Sequence, residues 1–263
     1  MNHRRIVVKA GSSSLTDETG RLDEARISRL VDMLAELREE GHEVLLVSSG
    51  AIAAGLGKLG WQRESISMPE KQAAAAVGQG LLINTYEQMF AERGIVIGQL
   101  LLTRSDVEVR NRFLNIRNTT ETLLAHRIIP IVNENDTVAV EEIRFGDNDT
   151  LGSLVAVVAE ADLVVLLTDI DGMYTSDPRL DESAERLLDV WEITEELEQM
   201  AGGTGTVVGT GGMRSKLAAA RIAMDAGIDL VVAASTEPDV LARIVRGEDI
   251  GTQFHARKAV RGR

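Results

Sequence analysis

This sequence predicts an α/β fold: a three-layer αβα sandwich around a mainly parallel central sheet. Three observations carry that reading. Short runs rich in Val, Ile and Leu recur along the chain, they show little polar alternation, and stretches of helical periodicity separate them. Unbroken apolar runs mark strands covered on both faces, as in a parallel sheet. Strands that alternate with helices close into a layered domain. The length, 263 residues, suits one large domain of this class.

The first strand is expected at residues 6–8, running into Lys9 and the turn Ala10-Gly11-Ser12-Ser13-Ser14. A helix follows, because Ile27, Leu30, Val31, Leu34 and Leu37 share one face, and Gly41 supplies its stop. The strand at 44–47 opens into Ser48-Ser49-Gly50, where a small-residue helix begins. Residues 70–93 form a long helical candidate with Gly78 and Gly80 as weak points. Strands at 95–102 and 128–132 come next, the second ending in Asn133-Glu134-Asn135-Asp136. Residues 137–145 alternate Val138, Val140, Ile143 and Phe145 with polar neighbours, as in a small hairpin standing off the main sheet. An apolar helix at 150–159 and strands at 163–167 and 230–233 complete the pattern.

Composition narrows the function. With 44% hydrophobic and 26% charged residues the chain has the make-up of a soluble globular protein. A net charge of −13 argues against a general binder of nucleic-acid backbones, which needs a basic face. It leaves room for a small anion held by local lysines and amides. Cysteine is absent, so thiolate chemistry and disulfides are excluded. No apolar stretch approaches the roughly 18 residues of a membrane span, and the N-terminus lacks a signal-peptide core. The expectation is a cytoplasmic enzyme.

In an open α/β sheet, ligands collect at the carboxyl ends of the strands, so the loops there are the candidates. The Lys9–Ser14 turn is either an anion nest beside an ammonium or a solvated surface turn. The Ser48-Ser49-Gly50 loop either offers N–H groups at a helix start or merely allows close packing. Asn133 to Asp136 is either a binding loop, with a carboxylate suited to an ammonium, or an Asx turn. In Gly146-Asp147-Asn148-Asp149, Asp147 suits an N-cap, Asn148 can donate an amide, and Asp149 can orient lysines. Thr168 and Asp169 end a buried strand where a nucleotide can lie; Asp169 and Asp171 alone are a weak metal signal. From 202 to 212, six of eleven residues are Gly, and a helix with Lys216 in its first turns follows, which suits a phosphate cradle. The four histidines lie outside all these loops. Two lysines, Gly-rich nests and Asp/Asn side chains suit phosphoryl transfer, which needs alignment and charge neutralisation more than covalent help. An acceptor that is already a carboxylate needs no general base.

The stretches VVKAGSSSL, VSSGAIAAG, KQAAAAVGQ, GQLLLTRSD, RFLNIRNT, PIVNENDTVA, GDNDTL, LLTDIDGMYTSDPR, GTGGMRSKL and GTQFHA resemble, in order and spacing, the amino acid kinase family over nearly the whole chain. Within it they resemble the members that phosphorylate the side-chain carboxylate of L-glutamate. The resemblance implies ATP and Mg²⁺ as cofactors, γ-glutamyl phosphate as product, a first step in proline biosynthesis, and feedback inhibition by proline. It implies that Lys9 contacts the ATP phosphates, that Lys216 neutralises the transferred phosphoryl group, and that Asp149 holds both lysines. Gly11 and Gly50 would offer N–H groups to the γ-phosphate. Ser12, Thr168, Asp169, Thr210, Gly211, Gly212 and Met213 would line the nucleotide site. Ser49, Gly50, Asp136 and Asn148 would line the glutamate site. Mg²⁺ would ride on the ATP phosphates without direct protein ligands. The family further suggests a dimer or tetramer. Residues 1–256 are expected to form the kinase domain and 257–263 a basic tail, without the C-terminal PUA domain of many members.

Overall fold

A computed structural model describes residues 3–139, 148–176, 181, 183–201 and 212–256. Among these, eight strands form one sheet: β1 (Arg5–Ala10), β2 (Glu43–Val47), β3 (Ile97–Leu102), β4 (Ile129–Glu134), β5 (Leu163–Thr168), β6 (Asp189–Val190), β7 (Asp229–Ala234) and β8 (Thr252–Phe254). Their order is β3-β4-β2-β1-β5-β7-β8-β6. Pairing is parallel from β3 through β7 in that order; β8 runs antiparallel to β7, and β6 pairs parallel with β8. The mainly parallel sheet expected from the sequence is therefore present. The carboxyl ends of β1, β2, β4 and β5 share one rim.

The pleat sorts the side chains into two cores. Ile6 and Val8 of β1 face one layer of helices: α1 (Glu24–Glu39), α2 (Ala51–Leu59), α3 (Met68–Ala91) and α9 (Val240–Val245). Val7 faces the other: α5 (Arg110–Ala125), α6 (Asn148–Val158), α7 (Glu195–Ala201) and α8 (Met213–Asp225). A short α4 (Arg104–Glu108) precedes α5. Three layers thus enclose two continuous apolar cores, with Tyr86, Phe90 and Phe254 among the largest fully buried side chains.

Local chemistry explains the element boundaries. Asp23 caps α1 through its side chain on the Arg26 N–H, and Gly41 follows the helix with φ of 94°. Ser67 and Glu70 form a capping box at α3, with a proline in the first turn.

The structure corrects several expectations. α3 runs unbroken through Gly78 and Gly80, so neither interrupts the helix. Gly78 is required by packing: a Cβ there would lie 1.7 Å from Ala51 O, and one on Gly55 of α2 would lie 1.8 Å from Ala74 O. β3 is not covered on both faces; it is an edge strand whose residues 97–101 are half-exposed or exposed. The described part of the expected hairpin, residues 137–139, forms a turn, with Val138 N–H donating to Asn135 O at 3.2 Å. The rest of that hairpin, Gly146 and Asp147, the Gly-rich stretch through Gly211, and the basic tail lie outside the described residues.

Candidate active site

Pleat and register bring the two lysines together. Lys9 is the fifth residue of β1, level with Val47 of β2 and Leu166 of β5. It shares the parity of Val7, so it points into the α6–α8 layer. Asp149 lies in the first turn of α6, where a negative charge complements the helix dipole. Lys216 lies in the first turn or so of α8, where the dipole disfavours a cation. It is held by Asp149.

The result is a buried triad. Lys9 Nζ lies 2.6 Å from Asp149 Oδ1, and Lys216 Nζ lies 3.2 Å from Oδ2. Ser215 Oγ donates to the same Oδ2 at 3.1 Å and to Gly212 O at 2.7 Å. Lys9, Asp149 and Lys216 are 6%, 1% and 3% exposed, so screening by water is small. Burial pushes the Asp149 carboxyl up, but the two ammonium groups outweigh burial and hold it below the usual carboxylate range. Taken alone, the three groups sum to a net positive charge, at a sheet rim suited to anions.

A second cluster adjoins the first. Asn148 Nδ2 donates to Ser48 O at 2.8 Å, to Ser49 Oγ at 2.7 Å, and lies 3.2 Å from Asn133 Oδ1. Asn148 is therefore already engaged in orienting the Ser48–Ser49 loop. Gly50 caps α2 with φ of 87°, a left-handed conformation that glycine adopts at little cost. Asp136 sits half-buried in the turn after β4. Asn133 and Glu134, at the end of β4, are buried.

The nucleotide-side candidates fall along the same rim. Ser12–Ser14 form a 3₁₀ turn after β1. The Gly11 N–H reaches back to Leu167 O at 3.4 Å, a weak continuation of the sheet. Arg26 of α1 stakes the turn, its Nη1 donating to Ser13 O at 2.6 Å and Thr16 O at 3.2 Å. Thr168 ends β5 and donates through Oγ1 to Asp169 Oδ1 at 3.0 Å. Gly212 is the N-cap of α8 and Met213 its first residue. Thr210 and Gly211 lie outside the described residues. Sequence reasoning did not single out Ser215 or Arg26, and took Asn133 only as part of the polar loop after β4. Ser215 was signalled only by its place between Arg214 and Lys216. Arg26 carried no signal, because the turn carbonyls it holds lie 10 and 13 residues away.

In shape the chain is similar to the solved UMP kinases of Bacillus anthracis (TM-score 0.66, 16% identity, 97% of each chain covered) and Ureaplasma parvum (TM-score 0.64, 14% identity, 97% and 100% covered). At that identity the likeness speaks for the fold alone, a mainly parallel α/β sandwich. The amino acid kinase family profile matches residues 4–234. A glutamate 5-kinase of Carboxydothermus hydrogenoformans is 56% identical over 258 residues, covering 98% of this chain and 69% of that protein. One from Clostridium tetani is 50% identical over 255 residues, covering 97% and 96%. The chain belongs to the amino acid kinase family, in its glutamate 5-kinase branch.

Proposed function

We propose that this rim is where the chain carries out the reaction of its branch, ATP-dependent phosphorylation of the side-chain carboxylate of L-glutamate, in proline biosynthesis. The observation that supports the mechanism is the meeting of Lys9 and Lys216 on opposite oxygens of Asp149. A glutamate carboxylate oxygen attacks the γ-phosphorus, the bond from phosphorus to the β,γ-bridging oxygen breaks, and ADP leaves with that oxygen's electron pair. The product is an acyl phosphate. The acceptor is deprotonated before attack, so no group on the chain needs to take a proton.

Each residue then has a role. Lys9 holds the β- and γ-phosphates, and Lys216 offsets charge on the PO₃ unit as it passes between oxygens. Asp149 keeps both ammonium groups in register. Gly11, Ser12 and Gly50 bring the backbone close to the phosphates. Ser49 and Asn148 orient the acceptor, and Asp136 receives its ammonium group. Thr168, Asp169, Thr210, Gly211, Gly212 and Met213 flank the nucleotide. Among the described residues no three His, Cys, Asp or Glu cluster as metal ligands. Mg²⁺ would be carried by the nucleotide phosphates and would add positive charge to the transferring group.

Proline shares the ammonium and α-carboxylate of glutamate, so we propose that it inhibits by occupying the Asp136 side of the pocket. A homo-oligomer is proposed through the outward face of α3, where Ala73, Ala76, Val77 and Gly80 are exposed. No described helix is long and apolar enough to cross a membrane, which is compatible with the cytoplasmic placement proposed.

The test is an ADP-release assay with glutamate, aspartate, N-acetylglutamate and UMP as acceptors, with and without proline. Glutamate is expected to give the highest kcat/KM. Faster turnover of any other acceptor overturns the assignment.

A further inference from the structure

α3 carries polar side chains at intervals of seven. Gln72, Gln79 and Tyr86 lie two turns apart on one face of the helix and span roughly 21 Å. Each ends on a loop of the acceptor site. Gln72 Nε2 donates to Ala139 O at 3.3 Å, and Gln79 Nε2 to Glu134 O at 3.4 Å. These two bonds grip both ends of the turn that carries Asp136. The Tyr86 hydroxyl meets Ser48 Oγ at 3.0 Å, with both residues fully buried.

Proton counting gives the direction of the last contact. Among the described residues the Tyr86 hydroxyl meets Ser48 Oγ alone, so its proton goes there and the serine proton is left for Ser49 O, a long contact at 3.4 Å. Tyr86 O–H therefore donates to Ser48. Burial pushes the phenol up, against the opposing Ser48 bond, so it stays a donor across the working pH range. Ser48 O in turn accepts from Asn148. Ser48 thus links α3, through its hydroxyl, to the side chain that orients Ser49, through its carbonyl.

A buried phenol always needs some partner, and a core role alone would be met by any carbonyl. Here the partner is the residue next to Ser49, and the other two members of the stripe hold the opposite loop. Gln79 is itself 7% exposed, and burying an amide is costly unless it is bonded.

We infer that Tyr86, Gln79 and Gln72 are positioning residues, and that α3 fixes the Ser48–Ser49 loop and the Asp136 turn relative to each other. The inference rests on the acceptor site proposed above.

The experiment is steady-state kinetics of Tyr86→Phe, Ser48→Ala and the double variant, with glutamate binding by calorimetry and thermal unfolding alongside. Wild-type turnover of glutamate tests the acceptor assignment separately. Tyr86→Phe is expected to raise the glutamate KM and Kd roughly 3- to 10-fold, the worth of one buried neutral hydrogen bond. The ATP KM stays within about twofold. The double variant is no worse than the weaker single variant, because the two hydroxyls act as one unit. Gln79→Leu shifts the glutamate KM in the same direction and carries the comparison if Tyr86→Phe fails to fold. An unchanged glutamate KM in folded Tyr86→Phe or Gln79→Leu overturns the inference. So does a parallel rise of both KM values with a lowered melting temperature, which marks a structural role only.

Discussion

Lys216 occupies a position that helix electrostatics alone would reject, a cation near the positive end of α8. Asp149 makes it tolerable, and the arrangement leaves the amino end of α8 unusually attractive to an anion. Removing the ammonium should affect the transition state more than substrate binding. Lys216→Ala is expected to lower kcat by about 10²–10³-fold or more while glutamate binding persists. Stopped assays paired with calorimetry check this, and normal turnover would remove Lys216 from the mechanism. These residues were legible in the sequence because a lysine or aspartate beside glycines at a strand end has few structural reasons to be there. Tyr86 and Arg26 were not legible. A tyrosine on an apolar helix face and an arginine in a first turn look the same whether or not they support a site. Their partners lie 38 residues away for Tyr86 and 10 to 13 for Arg26.

At the scale of elements, α2 and α3 approach so closely that backbone touches backbone. Gly55 and Gly78 each leave no room for a Cβ. Gly78→Ala must push the helices apart or bend one of them, and overpacking of this kind costs about 1–3 kcal/mol or more. A urea titration should show a lowered midpoint with an unchanged slope; an unchanged midpoint would show that the two helices slide apart freely. The sequence reads Gly78 as a liability in a helix because propensity is local, whereas the contact that requires it comes from another helix. The same limit hid β6 and β8. With two and three residues they are too short for any period to register, and pairing with β7 gives β8 its structure. β3 misled for the converse reason: Ile97, Leu100 and Leu101 are the residues of a covered strand, yet they sit at an open edge. The parallel core was legible because β1, β2, β4, β5 and β7 are apolar on both faces, a pattern few other arrangements require.

For the whole molecule, the unpartnered outward face of α3 bears on assembly. Ala73, Ala76, Val77 and Gly80 form an apolar strip on the surface of a protein whose net charge is −13. Val77→Lys is expected to reduce the solution mass to that of one chain, read by light scattering. An unchanged mass moves the contact elsewhere. The direction of β8 has a separate consequence. Its antiparallel return carries the chain back to the start of β7, where the Ala256 N–H donates to Asp229 Oδ1 at 2.8 Å. His3 and Arg4, just ahead of β1, lie at that same lower margin. Both ends of the described chain therefore depart from the blind side of the sheet. Chain entering at His3 or leaving at Ala256 does so on the side away from the rim that carries Lys9 and Asp149.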